Sequence, residues 1–280
     1  MAENTPIPVG RYVEVCGGLR MHLHERGQPS ASRPTLLFLH GSGPGASGYS
    51  NFQKNMDFFA DRGWHVLAPD YLGFGLSDKP RDLEYSSALH ARSIAEMLDA
   101  TGVSSVVPIG NSLGGVIALE YTFAHLDKVA KLILMAPGGI IDAAEWAADM
   151  PGLKTMYELI STHNIDREAF RKVLHKIVAD PAKITDEIID QRLPIWATQP
   201  AEVYTTLKTS VFGDRLHEIK APVLCFWGQK DLFLPVKHAA VVAERFEDVR
   251  VVISSHAGHW FMVEEPDYFN RQIEWFLDNA

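Results

Sequence analysis

The sequence predicts an α/β protein: a mostly parallel eight-stranded sheet flanked by helices, with an inserted helical cap. Three observations carry this. Short apolar runs bounded by turn residues recur along the chain, they alternate with helical patterns from residue 35 onward, and the alternation stops near 140 and resumes near 220.

Taken in order, YVEVC, LRMHLHE, TLLFLH, HVLAPD, SVVPIG, KLILMAP, PVLCFWG and VRVVISS read as strands. The middle ones are apolar throughout, as strands covered on both faces are. Helical patterns fall at about 49–61, 86–101, 112–126, 236–245 and 266–279. Between the two halves lie helix-like stretches such as REAFRKVLHKIV and TDEIIDQRLPIWA, with no strand pattern. Pro137, Gly138 and Gly139 mark where the chain leaves the sheet, and Gly213 and Pro222 bracket its return. The expected organisation is a core of residues 1–139 and 207–280 with a cap at 140–206.

With 280 residues, 46% of them hydrophobic, the chain has enough apolar surface for one large core. Its formal charge is 26 minus 35, or −9, without a Lys/Arg block, which argues against nucleic acid or an anionic membrane as partner. An anionic substrate would have to be held by local groups. The start, MAENTPIPVG, lacks the basic and apolar regions of a secretory leader, and no apolar run approaches the ~18 residues of a membrane span, so a cytoplasmic location is expected. Cys16 and Cys225 are too few for a disulfide framework and read as small apolar residues.

After the strand SVVPIG comes GNSLGG, a Gly110-x-Ser112-x-Gly114 motif, and then the helical pattern VIALEYTFAHL. In that context the motif predicts an elbow: the serine sits in a strained turn with its hydroxyl over the sheet edge, and the glycines let neighbouring elements approach. The alternative is a small-residue turn that happens to hold serine. A nucleophilic serine needs a base, and the base an orienting carboxylate, in the chain order serine, acid, histidine. Asp231 follows the strand PVLCFWG and His259 follows VRVVISS, so both lie at carboxyl ends of strands beside the elbow.

Rivals exist. Asp70 follows a strand but precedes the serine, and helping to fix the next loop is its better role. Asp214 and Asp248 read as caps or solvated charges. His256 is three residues from His259, but Gly258 before His259 permits close approach. His238 is expected on a surface helix, and His22 and His24 on an early edge strand. No grouping has metal-site spacing such as HExxH, and no GxGxxG follows the first buried strand, so neither a metallohydrolase nor a dinucleotide enzyme is indicated.

Five separated segments, HGSGPGASGYSNF, GNSLGG, LMAPGGI, IIDQR and GHW, together resemble the meta-cleavage product hydrolases of the α/β-hydrolase superfamily. These enzymes cut a carbon–carbon bond in 2-hydroxy-6-oxo-hexa-2,4-dienoates formed by aromatic ring opening. The resemblance implies an α/β-hydrolase fold, a small-molecule dienoate substrate, no cofactor and no metal, and a homodimer or higher oligomer. Its triad would be Ser112, Asp231 and His259, with the N–H groups of Ser42 and Leu113 as oxyanion hole. Gly43, Asn51, Asn111, Arg192 and Trp260 match positions that line the family's dienoate pocket. Two stretches depart from the family pattern: Ala257 stands where cysteine is common, and HKIVAD replaces a more aromatic run in the cap.

Chemistry points the same way for Arg192, since a planar guanidinium suits a carboxylate beside an enolate oxygen. Its other reading is a surface ion pair with Asp190 or Glu187; Trp260 could likewise be core packing. The implied reaction is enol-to-keto tautomerisation and serine attack on the ketone, giving a 2-hydroxypenta-2,4-dienoate and a carboxylic acid. A carboxylesterase or lactonase using the same triad is the alternative. A non-catalytic relative acting as a receptor is a third, which an intact triad disfavours.

Overall fold

The structure, a computed structural model, describes residues 7–162 and 166–280. Part of the amino-terminal stretch read above for a leader, and residues 163–165 of the expected cap, lie outside the described residues.

The strands are β1 (Arg11–Val15), β2 (Leu19–Arg26), β3 (Thr35–Leu39), β4 (Val66–Pro69), β5 (Val106–Asn111), β6 (Leu132–Met135), β7 (Val223–Gly228) and β8 (Val249–Ser254). They form one sheet in the order β1-β2-β4-β3-β5-β6-β7-β8. The β1/β2 and β2/β4 pairs are antiparallel and the rest parallel. Strands β3 to β7 are buried along their whole length, as their unbroken apolar runs require. One expectation changes here. The edge strand is β1, and β2 lies inside the sheet, so His22 and His24 are almost fully buried.

Alternate side chains of β3 point to opposite faces: Leu37 and Leu39 join one apolar cluster, Leu36 and Phe38 the other. The first face is covered by α2 (Ser87–Ala100), α3 (Leu113–Ala124) and α8 (His238–Arg245), the second by α1 (Gly48–Ala60) and α10 (Pro266–Asn279). α1 begins at Ser47, whose hydroxyl and that of Ser50 cap each other's backbone N–H. In α10, Phe269, Ile273 and Phe276 form a buried i, i+4, i+7 stripe. Burying each such side chain contributes about 1.5–3 kcal/mol. His238, expected at the surface, is instead buried on α8 against Trp146 and Trp227.

Between β6 and β7 the chain leaves the sheet and forms α4 (Pro151–Thr162), α5 (Arg167–Ile177), α6 (Asp186–Trp196) and α7 (Glu202–Thr205). α5 is amphipathic, burying Phe170, Val173, Leu174 and Ile177. The remaining helix, α9 (Phe261–Glu264), is a single turn following the stretch that holds His259. Among the described residues no helix is long and apolar enough to cross a membrane.

Candidate active site

The turn from β5 into α3 has the shape the motif predicts. Ser112 adopts φ 57 and ψ −116, a conformation that costs a side-chain-bearing residue about 1–3 kcal/mol. Its neighbours explain how the turn persists. A Cβ on Gly110 would lie 2.2 Å from the Gly114 carbonyl oxygen, and one on Gly114 would lie 2.0 Å from that of Leu39. Leu113 is the first residue of α3, so its N–H belongs to the unpaired donors at the helix start.

Facing the elbow is the glycine-rich loop after β3. A Cβ on Gly41 would stand 3.3 Å from Ser112 Cβ and 3.2 Å from Asn111 Oδ1, so a side chain there would press on the elbow by a few tenths of an ångström. Ser42 and Gly43 line the same cavity as Ser112, Asn111, His259 and Trp260, a space of about 360 Å³. A larger groove of about 770 Å³ between α1 and residues 182–188 includes neither Ser112 nor His259. The presence of Ser112 and His259, rather than size, makes the smaller space the candidate site.

Asp231 and His259 meet although 28 residues separate them: Asp231 Oδ2 lies 2.8 Å from His259 Nδ1. The other carboxylate oxygen accepts from the N–H groups of Phe233 (2.7 Å) and Leu234 (2.9 Å), which leaves the carboxylate no freedom to rotate. This assigns the proton to Nδ1 and turns Nε2 into the acceptor. The Phe233 ring stacks on the imidazole at 5.2 Å between centroids. The rivals fall elsewhere. His256 is exposed, Asp214 pairs with Arg245, and Asp248 is exposed. Asp70 fixes its loop, accepting from Gly48 N–H (2.7 Å), Leu76 N–H (2.8 Å) and His22 Nδ1 (2.9 Å).

Asp70 also belongs to the one group of metal-ligand type among the described residues, with His22 and His24. The Gly10 N–H donates to His22 Nε2 at 2.9 Å, so Nδ1 keeps its proton for Asp70 and has no lone pair to offer an ion. The donor set therefore does not suit a metal.

Arg192, on α6, is completely buried. The alternative surface ion pair fails, because Asp190 pairs with Arg167 instead, 2.5 Å away. Among the described residues Arg192 donates only to neutral acceptors: the Pro44 carbonyl from Nη2 (2.8 Å) and Nε (3.1 Å), and Asn51 Oδ1 (2.9 Å) and Ser50 Oγ (3.4 Å) from Nη1. Its guanidinium lies 4.7 Å from the Trp260 ring. Burial lowers its pKa to about 9, which leaves it cationic at neutral pH. Among the described residues no carboxylate balances this charge. Two more polar atoms are buried without partners among the described residues, Asn51 Nδ2 and Asn111 Oδ1, while Asn111 Nδ2 donates to the carbonyls of Met135 and His259 at 3.2 Å. Gly43 stands in front of the guanidinium: a Cβ there would be 3.1 Å from Arg192 Nη2.

Sequence reasoning missed the groups that tie this site together. Gln199 Oε1 accepts from Gly45 N–H at 3.0 Å, holding the loop after β3 to the insertion. Glu264 accepts from Gly258 N–H (2.7 Å) and Ala179 N–H (2.6 Å). Burial raises the Glu264 pKa, against the pull of the backbone donors. The only local signal was a glutamate inside the apolar turn HWFMVEEP.

Residues 34–266 match the family model described as the alpha/beta hydrolase fold. A 2-hydroxy-6-oxononadienedioate/2-hydroxy-6-oxononatrienedioate hydrolase from Comamonas testosteroni is 32% identical over 269 residues, covering 93% of this chain and 92% of its own. A 2-hydroxy-6-oxo-6-phenylhexa-2,4-dienoate hydrolase from Burkholderia cepacia is likewise 32% identical over 269 residues, with the same coverage of both chains. Among solved structures, a mutant meta-cleavage product hydrolase from Pseudomonas fluorescens IP01, complexed with acetates, superposes with a TM-score of 0.84. It covers 97% of this chain and 99% of its own at 22% identity, and so speaks to the fold. The chain thus belongs to the alpha/beta hydrolase fold family, in its meta-cleavage product hydrolase branch.

Proposed function

We propose that this enzyme hydrolyses the carbon–carbon bond of a 2-hydroxy-6-oxo-hexa-2,4-dienoate, with Ser112 as nucleophile, His259 as base and Asp231 as orienter. The observation that carries the reading is Arg192: a fully buried cation with only neutral partners among the described residues, against the glycine-rich loop that faces the predicted nucleophile, supplies what a carboxylate substrate needs. Asn51 Nδ2 and Asn111 Oδ1 offer one donor and one acceptor for the enol oxygen and its proton. Residues 140–206 act as a cap that brings Arg192 over the core.

The steps follow from these positions. The dienol first becomes the keto form, which makes the departing dienoate fragment a stabilised carbanion equivalent. Ser112 Oγ gives its proton to His259 Nε2 and attacks the C6 carbonyl, and Asp231 stabilises the imidazolium through Nδ1. The N–H groups of Ser42 and Leu113 hold the resulting oxyanion. With C5 already protonated by the ketonisation, the C5–C6 bond breaks, and its electron pair forms the C4–C5 double bond and returns the C2 carbonyl to an enolate. That oxygen takes the proton held by His259, so that the fragment leaves as 2-hydroxypenta-2,4-dienoate. Water activated by His259 then releases the acyl group as a carboxylic acid. Across the whole reaction one water is added. A cytoplasmic location and a homodimer or larger assembly belong to the same reading.

The test uses a coloured dienoate followed by its visible absorbance, beside nitrophenyl acetate. Wild-type protein should prefer the dienoate, and Ser112→Ala should lose turnover by a factor on the order of 10⁴ or more while still binding substrate. A marked preference for the ester would reject this reading in favour of a carboxylesterase.

A further inference from the structure

Two loops carry the reactive groups, and each is fastened to the insertion, but in different ways. The loop after β3 meets α6 through the side chain of Arg192, and the turn after α6 through that of Gln199. The His259 loop meets the segment after α5 through backbone: His259 N–H donates to the Ile177 carbonyl at 2.7 Å. The approach is as close as backbone allows, since a Cβ on Gly258 would lie 2.8 Å from Ala179 N and 2.9 Å from Ile177 O. That junction leaves two N–H groups, of Gly258 and Ala179, pointing at one place. Glu264 fills it.

The Glu264 side chain can reach back because the turn after Trp260 is short: the Glu264 N–H donates to the Trp260 carbonyl at 3.0 Å, which folds the carboxylate beneath the preceding loop. One oxygen then accepts from Gly258, adjacent to the base, and the other from Ala179 in the insertion. Glu264 is 4% exposed, and a bidentate carboxylate bridging two backbone donors fixes their separation in a way no neutral side chain matches. Behind it opens a polar cleft lined by Asp180, Lys183, Lys230, His256 and Glu265.

We propose that Glu264 is a positioning residue for His259: it ties the histidine loop to the insertion, so that the base is held in register only while the insertion is seated on the core. The proposal rests on His259 being the base. Glu264 lies outside the reacting groups, and the carboxylates of Asp231 and Glu264 divide the work, the first orienting the ring and the second placing the loop that carries it.

The test compares wild-type, Glu264→Gln and Glu264→Ala proteins on a dienoate, together with the rate of Ser112 labelling by a fluorophosphonate. In Glu264→Gln the amide keeps one acceptor and turns a donor toward the second N–H. Its kcat should fall by about 10- to 100-fold with KM within about threefold, since a displacement near 1 Å carries that cost. Labelling should slow in step with kcat. In Glu264→Ala, added formate should enter from the polar cleft and restore activity several-fold. A Glu264→Gln protein with a lowered Tm but kcat within twofold of wild type overturns the proposal. So does a loss in Glu264→Ala that formate leaves unchanged; should that variant fail to fold, the glutamine variant decides alone. Wild-type protein that neither turns over the dienoate nor labels at Ser112 would instead refute the proposed function.

Discussion

The two halves of the site are built on opposite principles. Around the triad the orienting groups have their partners: both Asp231 oxygens are engaged, His259 is held through Nδ1, and the elbow is locked by glycines against backbone. Around Arg192, which the insertion brings to Asn51 of α1, the groups are buried but incompletely paired: among the described residues Arg192 lacks an anion and Asn51 Nδ2 an acceptor, as Asn111 Oδ1 at the end of β5 lacks a donor. A saturated constellation is pre-organised for chemistry, which is the same whatever acyl group is transferred. An unsaturated one stores unmet hydrogen bonds and charge that only a matching substrate satisfies, which is how polar pockets discriminate.

The largest loss is expected at Asp231. Asp231→Asn should lower kcat by a factor on the order of 10⁴ through the wrong histidine tautomer, and by similar factors for dienoate and nitrophenyl ester. A loss confined to the dienoate would show that the core half also reads the substrate. Arg192→Gln sharpens the other side. It should cost about 10²- to 10³-fold in kcat/KM for the dienoate, while ester hydrolysis stays within about threefold. Equal losses on both substrates would make Arg192 a structural group.

Acid offers the gentlest probe, acting on the core alone. His24, His40 and His90 are buried and their pKa values are lowered, to about 4, 4 and 3, with burial the first cause in each. A base with a depressed folded-state pKa binds protons more readily when unfolded, so its contribution is intact above about pH 6.5 and is lost as pH falls toward 4. Each should remove roughly 1–2 kcal/mol of stability between pH 7 and pH 5. Thermal melts across that range should show a falling Tm, and His90→Phe should flatten the slope; a pH-independent Tm would contradict the burial of these rings in neutral form.

How much of this was readable beforehand follows the range of the interactions. The elbow and the strands depend on residues within a few positions, and GNSLGG or an unbroken apolar run announces them locally. Chain order was enough to pair Asp231 with His259 because both follow strands that end on one side of the sheet. The placement of β2 was not readable, since two antiparallel strands at a sheet's margin have the same pattern whichever lies outside. Nor was the environment of His238, whose partners Trp146 and Trp227 come from distant segments. Arg192 shows the limit best: the stretch RLPIWA fits a surface helix as well as an interior one, and only the approach of Pro44 and Trp260 decides between them.

The backbone junction at Ile177 and Ala179 bears on how such enzymes could be diversified. A transplanted cap must reproduce a carbonyl and an amide at fixed places, not particular side chains, so the sequence of that segment is free to drift without loosening the histidine. The contact at α6 is the reverse, a graft point where the arginine of the helix and the glutamine of the turn after it must travel together. Chimeras that exchange α4 and α5 while keeping α6 would therefore alter the far wall of the pocket and leave both of its anchors in place.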